Sequence, residues 1–296
     1  MNDYDEDQFI IGTMEYSFSR LHSFYNCQRE WHQVYIDCES KESSAMAQFG
    51  SLVHKILEMY AKGELEIFEL SQYYEEHFAE NVTYDFPRNQ YVDLREKYYS
   101  QGLDYFDNID LDLERYEVLG VERKEEFKIG DYDCIGFIDL LLRDKETGEI
   151  IILDHKSASI GILKSGKIAK KDREHFENFK KQLYLYSIPI IEQYGHVDKL
   201  KWNLFRDQKY IEIPWDKKEY EESIEWAKDT ITAIENEKEW GINPELEKAM
   251  ADGKYPPFYC MNLCSQRWTC PVKLQYLEDL KFQKMLEESD YAPSGW

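Results

Sequence analysis

The sequence predicts an α/β fold in which a small mixed sheet is flanked by helices. Three observations carry this. Strand-like texture is confined to two stretches, 118–156 and 199–215, and a stretch of helical periodicity separates them. Helical patterns also precede and follow the strands. A hydrophobic content of 43% over 296 residues supports one large domain with a real core, or one domain carrying a sizeable insertion. No repeat and no Gly/Ser or Pro linker cuts the chain, so residues 1–296 read as a single domain.

Taken in order, YSFSRLHSFYNCQREWHQVYI (16–36) has apolar and aromatic residues at helical spacing, with Ser17 or Ser19 as N-cap. A second helix runs from about Ala45 to Lys62, interrupted by Gly50 and ended by Gly63. Residues 64–118 are rich in Glu, Asp and Tyr with helical patterning, and read as an acidic helical insertion. VLGVERKEEFKI, DYDCIGFIDLLL and the apolar run IIILDHK then read as three antiparallel strands, the last two joined by the turn-rich RDKETGE. A basic loop (160–175) leads into the helical FENFKKQLYLYSIPIIEQYG, and KLKWNLFRDQKYIEIPW supplies two more strands. The core of the fold is therefore 119–215. A helix from about Lys217 to Glu239 and a cysteine-rich segment, 255–275, close the chain.

A formal charge of −23 argues against a wholly basic nucleic-acid-binding surface, but net charge is silent about local patches. No stretch reaches the roughly 18 apolar residues that span a bilayer, and the acidic start MNDYDEDQFI lacks the basic and apolar regions of a signal peptide. The expectation is a cytoplasmic protein with no membrane partner. In a reducing compartment its six cysteines point to metal before disulfides.

The chemistry concentrates in the hairpin of residues 132–142 and 149–156. A turn centred between Glu146 and Thr147 opposes Asp139 to Asp154, and opposed side chains come within roughly 5 Å. Two like charges so placed are destabilising unless a cation binds them, and Mg²⁺ coordinated by carboxylates, water and a phosphate fits phosphodiester hydrolysis. Strand alternation puts Lys156 on the face of Asp154, where an ammonium holds the attacking water and offsets charge developing on phosphorus. His155 points the other way, with its backbone carbonyl still in reach of the metal. The bland reading of a D-x-K hairpin end is a surface salt bridge. Against it, the run preceding Asp154 puts the acid at the end of a buried strand, where an unpaired carboxylate is costly.

GFIDLLL, a turn and IIILDHKSAS resemble the RecB-like branch of the PD-(D/E)XK nucleases, whose pattern is G-x-x-D followed by an apolar strand ending in D-x-K. Other segments agree in the same order along the chain. YSFSRLHSFYNCQREWH is similar to the family's opening helix, FGSLVHKILE to its G-x-x-[VI]-H helix, and KKQLYLYSI to its Q-x-x-x-Y helix. The resemblance implies a restriction-endonuclease-like core. It implies His54, Asp139, Asp154 and the carbonyl of His155 as ligands of Mg²⁺ or Mn²⁺, Lys156 as the residue that activates water, and Gln182 and Tyr186 along the active-site groove, contacting DNA or orienting the lysine.

Cys260, Cys264 and Cys270 have the spacing C-x₃-C-x₅-C, and Cys27 offers a fourth thiolate from the other end of the chain. Spacing alone admits either Zn²⁺ or an iron-sulfur cluster. The one-plus-three arrangement resembles iron-sulfur members of the branch, the AddB type and the RecB-like CRISPR-associated exonucleases, which implies a [4Fe-4S] cluster on these four residues. The spacing within the trio is often x₂ in those proteins, so x₃ departs from the pattern.

Between 160 and 181 seven basic residues face three acidic ones, and Lys164, Lys167, Lys170, Lys171 and Arg173 border the expected active site as phosphate contacts. Tyr and Trp side chains are plentiful for stacking on unpaired bases. GILKSGKI in the same loop comes close to a nucleotide-phosphate loop, but Ile168 replaces the hydroxyl residue that would hold Mg²⁺. Together these features imply a metal-dependent DNA exonuclease acting on single-stranded or frayed ends, in recombination, phage DNA metabolism or CRISPR adaptation. The alternative is a non-catalytic DNA-binding subunit with a structural iron-sulfur or zinc site.

Overall fold

The computed structural model describes residues 3–290. Its helices are α1 (Asp3–Gly12), α2 (Phe18–Asn26), α3 (Gln28–Tyr35), α4 (Ala45–Ala61), α5 (Leu70–Asn81) and α6 (Leu94–Asp107), followed by strands β1 (Tyr116–Ile129), β2 (Tyr132–Asp144) and β3 (Ile150–Lys156). Then come α7 (Arg173–Tyr194), β4 (Lys199–Leu204), β5 (Lys209–Pro214), α8 (Lys217–Asn236), α9 (Pro244–Ala251) and α10 (Pro271–Asp290). The chain divides into two compact units. One is Gly12–Leu21 with Ala45–Glu235; the other is Met1–Ile11, His22–Ser44 and Asn236–Trp296.

The larger unit holds the five-stranded mixed sheet, ordered β1-β2-β3-β4-β5. Only β3 and β4 pair in parallel, and the crossover between them contains α7. Apolar residues of β2 and β3 face both ways. Leu140, Leu142, Ile151 and Leu153 pack with Phe49, Val53, Ile56 and Leu57 of α4 and with α5 and α6, whereas Ile138, Leu141, Ile150 and Ile152 pack with α7. This two-sided burial is why IIILDHK reads as a continuous apolar run. The helices of the acidic 64–118 segment thus supply core: Leu70, Tyr74, Phe78, Tyr105 and Phe106 are buried against α4.

Ser17 is the expected cap, its Oγ accepting the amide of Arg20 at 3.2 Å. The single helix expected over 16–36 is two helices. Cys27 adopts an extended backbone, and its sulfur accepts the Glu30 amide as N-cap of α3. Gly50 does not interrupt α4, which runs unbroken to Ala61, with Gly63 at φ +71° just beyond it. Helix α8 stops at Asn236, short of Glu239. Helices α9 and α10 flank the last cysteines where only a cysteine-rich closure was expected. Among the described residues no helix is long and apolar enough to cross a membrane.

Gly102 marks the tightest helix contact of this core. A Cβ there would overlap the ring and hydroxyl of Tyr74, which is buried with its Oη donating to the carbonyls of Tyr98 and Tyr99. Gly102→Ala is therefore expected to destabilise the protein by about 1–3 kcal/mol through overpacking. A urea midpoint that does not fall would contradict this close approach of α5 and α6.

Candidate active site

The hairpin register follows the expected turn centre. Leu140 opposes Leu153, Leu141 opposes Ile152 and Leu142 opposes Ile151. The ladder stops there, one pair short of Asp139 and Asp154, so the two aspartates are not the ladder partners that register alone implied. The reason lies one strand over. In the β1–β2 ladder Val121 pairs with Leu140 and Arg123 with Ile138, while Glu122 and Asp139 between them are left out of the pairing. Glu122 has φ +46°, a left-handed backbone uncommon for a residue with a side chain. Alternation breaks at the same step, since Ile138 packs toward α7 whereas Leu140, two residues on, packs toward α4.

The break gathers three side chains that could hold a metal ion. His54 on α4, Glu122 on β1 and Asp139 on β2 each present a donor atom within 4.8 Å of the other two. Sequence reasoning missed Glu122, which sits in the charged run VERKEE; its weak signal is Gly120, next to which the β1–β2 register slips. His54 Nδ1 lies 3.6 Å from Asp139 Oδ2, and that same oxygen accepts the backbone amide of His155 at 2.7 Å. The site opens into a cleft of about 450 Å³ lined by His54, Glu122, Gly50, Ser51 and Ser157 among others. A larger open concavity, about 920 Å³, is lined by the consecutive residues Asp85–Arg95 alone, the hollow of one loop.

On the other side stand Asp154, Lys156 and Gln182. Lys156 Nζ donates to Asp154 Oδ1 at 3.0 Å and to Gln182 Oε1 at 2.8 Å, and lies 5.1 Å from the Phe179 ring centroid. It also sits 2.8 Å from Asp154 Oδ2, yet that buried oxygen accepts no well-directed hydrogen bond. Gln182 Nε2 donates in turn to Tyr186 Oη at 3.5 Å, so the Q-x-x-x-Y pair of α7 reaches the lysine through its glutamine. The glycine of G-x-x-D has a steric reason: a Cβ at Gly136 would come within 2.5 Å of the Tyr186 ring. His155 points away from Asp154, as alternation requires. Its buried ring meets Asn203 Nδ2 at 2.9 Å, and that amide donates to Tyr105 Oη at 2.6 Å.

The electrostatics fit a divalent cation. Burial, then the charge of Asp154, pushes the Asp139 carboxyl up to about 7. Burial, then Asp139, also raises Glu122. Burial lowers His54 and keeps its ring neutral, the form that ligates metal. A backbone hydrogen bond to His155 works upward on His54; because it favours the protonated ring and the His155 amide is committed to Asp139, the partner is the His155 carbonyl. Two carboxylates that resist ionising, a neutral imidazole, a carbonyl and the carboxylate of Asp154 make an oxygen-rich donor set that suits a hard divalent cation.

The basic loop leaves β3 as a tight turn. Leu163 and Lys167 are hydrogen-bonded across it, and Ile162 bridges Ile168, so GILKSGKI forms a small hairpin and not a strand-to-helix phosphate loop. Lys164, Lys167, Lys170, Lys171 and Arg173 are exposed, and none takes part in an ion pair among the described residues. Lys180 is instead held by Glu177 and Glu219. In the smaller unit Cys27, Cys260, Cys264 and Cys270 line one cavity with Glu30, Leu246, Tyr259 and Lys273. Burial raises the thiols of Cys27, Cys260 and Cys264, Cys260 up to about 12. Among the described residues no three of the four sulfurs lie within 4.8 Å of one another, whereas one tetrahedral Zn²⁺ at about 2.3 Å from each would hold them roughly 3.8 Å apart.

The raised Asp139 sets a pH dependence. An unfolded Asp titrates near 3.8 and the folded one near 7, so the folded state binds the proton more tightly. The resulting stability is fully present below about pH 4 and is lost as pH rises through about 7. Metal-free protein should lose stability over this window relative to Asp139→Asn, which does not titrate. Urea unfolding in a chelator from pH 4 to 8 checks this, and parallel curves for the two proteins would refute it.

A solved structure described as a "Putative exonuclease" from Eubacterium rectale is similar to this chain at 12% identity, covering 83% of this chain and 88% of that one with a TM-score of 0.46. No curated protein sequence matches it significantly. The profile of the PD-(D/E)XK nuclease superfamily matches residues 15–271, a span that contains every residue of the carboxylate site and all four cysteines of the second cavity. The chain belongs to the PD-(D/E)XK nuclease superfamily.

Proposed function

We propose that this nuclease is a Mg²⁺- or Mn²⁺-dependent DNA exonuclease that removes nucleotides from single-stranded or frayed ends. The observation that carries this reading is the meeting of His54, Glu122 and Asp139 beside the Asp154–Lys156–Gln182 chain. His54, Glu122, Asp139, Asp154 and the His155 carbonyl would hold the ion. When bound, the ion polarises the scissile phosphate and lowers the pKa of a coordinated water.

The residues divide the remaining work. Gln182 keeps Lys156 in place, and Tyr186 backs Gln182. Lys156 holds the attacking water and offsets charge building on the phosphoryl oxygens. The water oxygen forms a bond to phosphorus in line with the bridging oxygen and gives up a proton to solvent; the bond from phosphorus to the bridging oxygen breaks, and that oxygen leaves with a proton drawn from solvent. Lys164, Lys167, Lys170, Lys171 and Arg173 grip the backbone of the incoming strand, a local basic patch that an overall charge of −23 conceals. Recombination, phage DNA metabolism and CRISPR adaptation are the settings that suit such an activity.

Asp154→Ala should reduce Mg²⁺-dependent degradation of end-labelled single-stranded DNA by at least about a thousandfold. Metal-assisted stabilisation is worth several kcal/mol, and each ~1.4 kcal/mol is a decade in rate. Equal rates for variant and wild type would remove the catalytic assignment, and degradation of circular substrate as fast as linear would remove the exonuclease assignment.

We also propose that Cys27, Cys260, Cys264 and Cys270 bind a [4Fe-4S] cluster. All four thiols line one cavity, which supports a four-thiolate centre, and their one-plus-three order along the chain favours a cluster over a single zinc ion. Anaerobically purified protein should be brown and contain iron and acid-labile sulfide in equal amounts. A colourless preparation holding zinc without iron would overturn the cluster.

A further inference from the structure

Lys273 lies three residues after Cys270, and at 2% exposure is among the most deeply buried large side chains. Its Nζ donates to the Arg267 carbonyl and sits 5.8 Å from the Trp268 ring centroid. Among the described residues it has no carboxylate partner. The carboxylate in the same cavity, Glu30, is fully engaged. Its Oε1 accepts the Ser265 amide and hydroxyl, both at 2.7 Å, and its Oε2 accepts the Tyr259 hydroxyl at 2.6 Å. A buried ammonium with only a carbonyl and an aromatic ring for company is costly unless a negative charge compensates it. The four cysteines line the same cavity.

We propose that Lys273 is the built-in counter-cation of the four-cysteine centre, offsetting the negative charge that Cys27, Cys260, Cys264 and Cys270 carry as metal-bound thiolates. The inference rests on the cluster reading above and extends it to a residue that is no ligand. With neutral thiols the lysine would be an unpaired buried charge; with thiolates it is paired. A four-thiolate iron-sulfur cluster carries net negative charge, and more of it after accepting an electron, so a fixed cation nearby favours the reduced form and raises the reduction potential. The mutual effects agree in sign. Burial lowers Lys273 while Cys270, Cys264 and Cys260 push it back up, and Lys273 in turn pulls Cys260 down.

The test compares wild type, Lys273→Met and Lys273→Arg as anaerobically purified full-length proteins, by iron and sulfide content, redox titration followed in the visible spectrum, and rate of bleaching by an iron chelator. Lys273→Arg, which keeps the charge, should match wild type in potential. Lys273→Met should shift the potential to more negative values and bleach faster. If the methionine variant is poorly folded, Lys273→Gln, which keeps the hydrogen bond to the Arg267 carbonyl without the charge, carries the same comparison. A neutral variant with wild-type potential and bleaching rate would overturn the role of Lys273 and leave the cluster standing. Wild type devoid of iron and sulfide would instead overturn the cluster, and this inference with it.

Discussion

The hydrogen bond from the His155 amide to Asp139 Oδ2 holds two strands together at the point where their ladder has already ended. Much of the site depends on it. It fixes an acid whose burial and whose neighbour Asp154 both oppose its ionisation. It occupies the His155 amide, leaving the carbonyl to face His54. Had β1 and β2 kept strict alternation through Glu122 and Asp139, Asp139 would share the α7 face with Asp154, and His54 on α4 would lack both carboxylates. The strained backbone at Glu122 is the local cost of bringing ligands from both faces of the sheet to one place.

That arrangement also explains what the acidic helices are for in physical terms. Tyr74, Phe78, Tyr105 and Phe106 bury the apolar face of α4 against the sheet and so set the height of His54 above it. Tyr105 adds a polar tie, because its hydroxyl accepts from Asn203, which touches the His155 ring. A segment that reads as peripheral by composition therefore supports the candidate metal ligands from behind. A frustrated pair of carboxylates is the expected signature of a site completed by a cation. In the other unit the thiols of Cys260 and Cys264 are likewise raised by burial.

Much of this was legible from local patterns. The apolar run IIILDHK and the turn RDKETGE place the hairpin register correctly, because pleat and turn geometry act over a few residues. Ser17 caps its helix, and Lys156 shares the face of Asp154, for the same reason. The glycine of G-x-x-D and the tyrosine of Q-x-x-x-Y prove to be one steric contact between Gly136 and Tyr186. Local pattern failed where a residue answers to something distant. Cys27 breaks a segment that is helical on either side, and Gly50 stays helical although its composition suggests a break.

The chain's own order of residue types is enough to specify the α/β class, the hairpin that carries Asp139 and Asp154 and the grouping of three cysteines at one end, since each follows from propensity, periodicity or spacing. Glu122 and Lys273 are different. Glu122 is one acid in a run of charges until a bulge turns it toward a helix that lies far earlier in the chain. Lys273 is an ordinary helical lysine until folding encloses it among cysteines and leaves it no carboxylate. Charges interact through space, with no regard to separation along the chain, so the partners that give these two residues meaning exist only once the fold has assembled them.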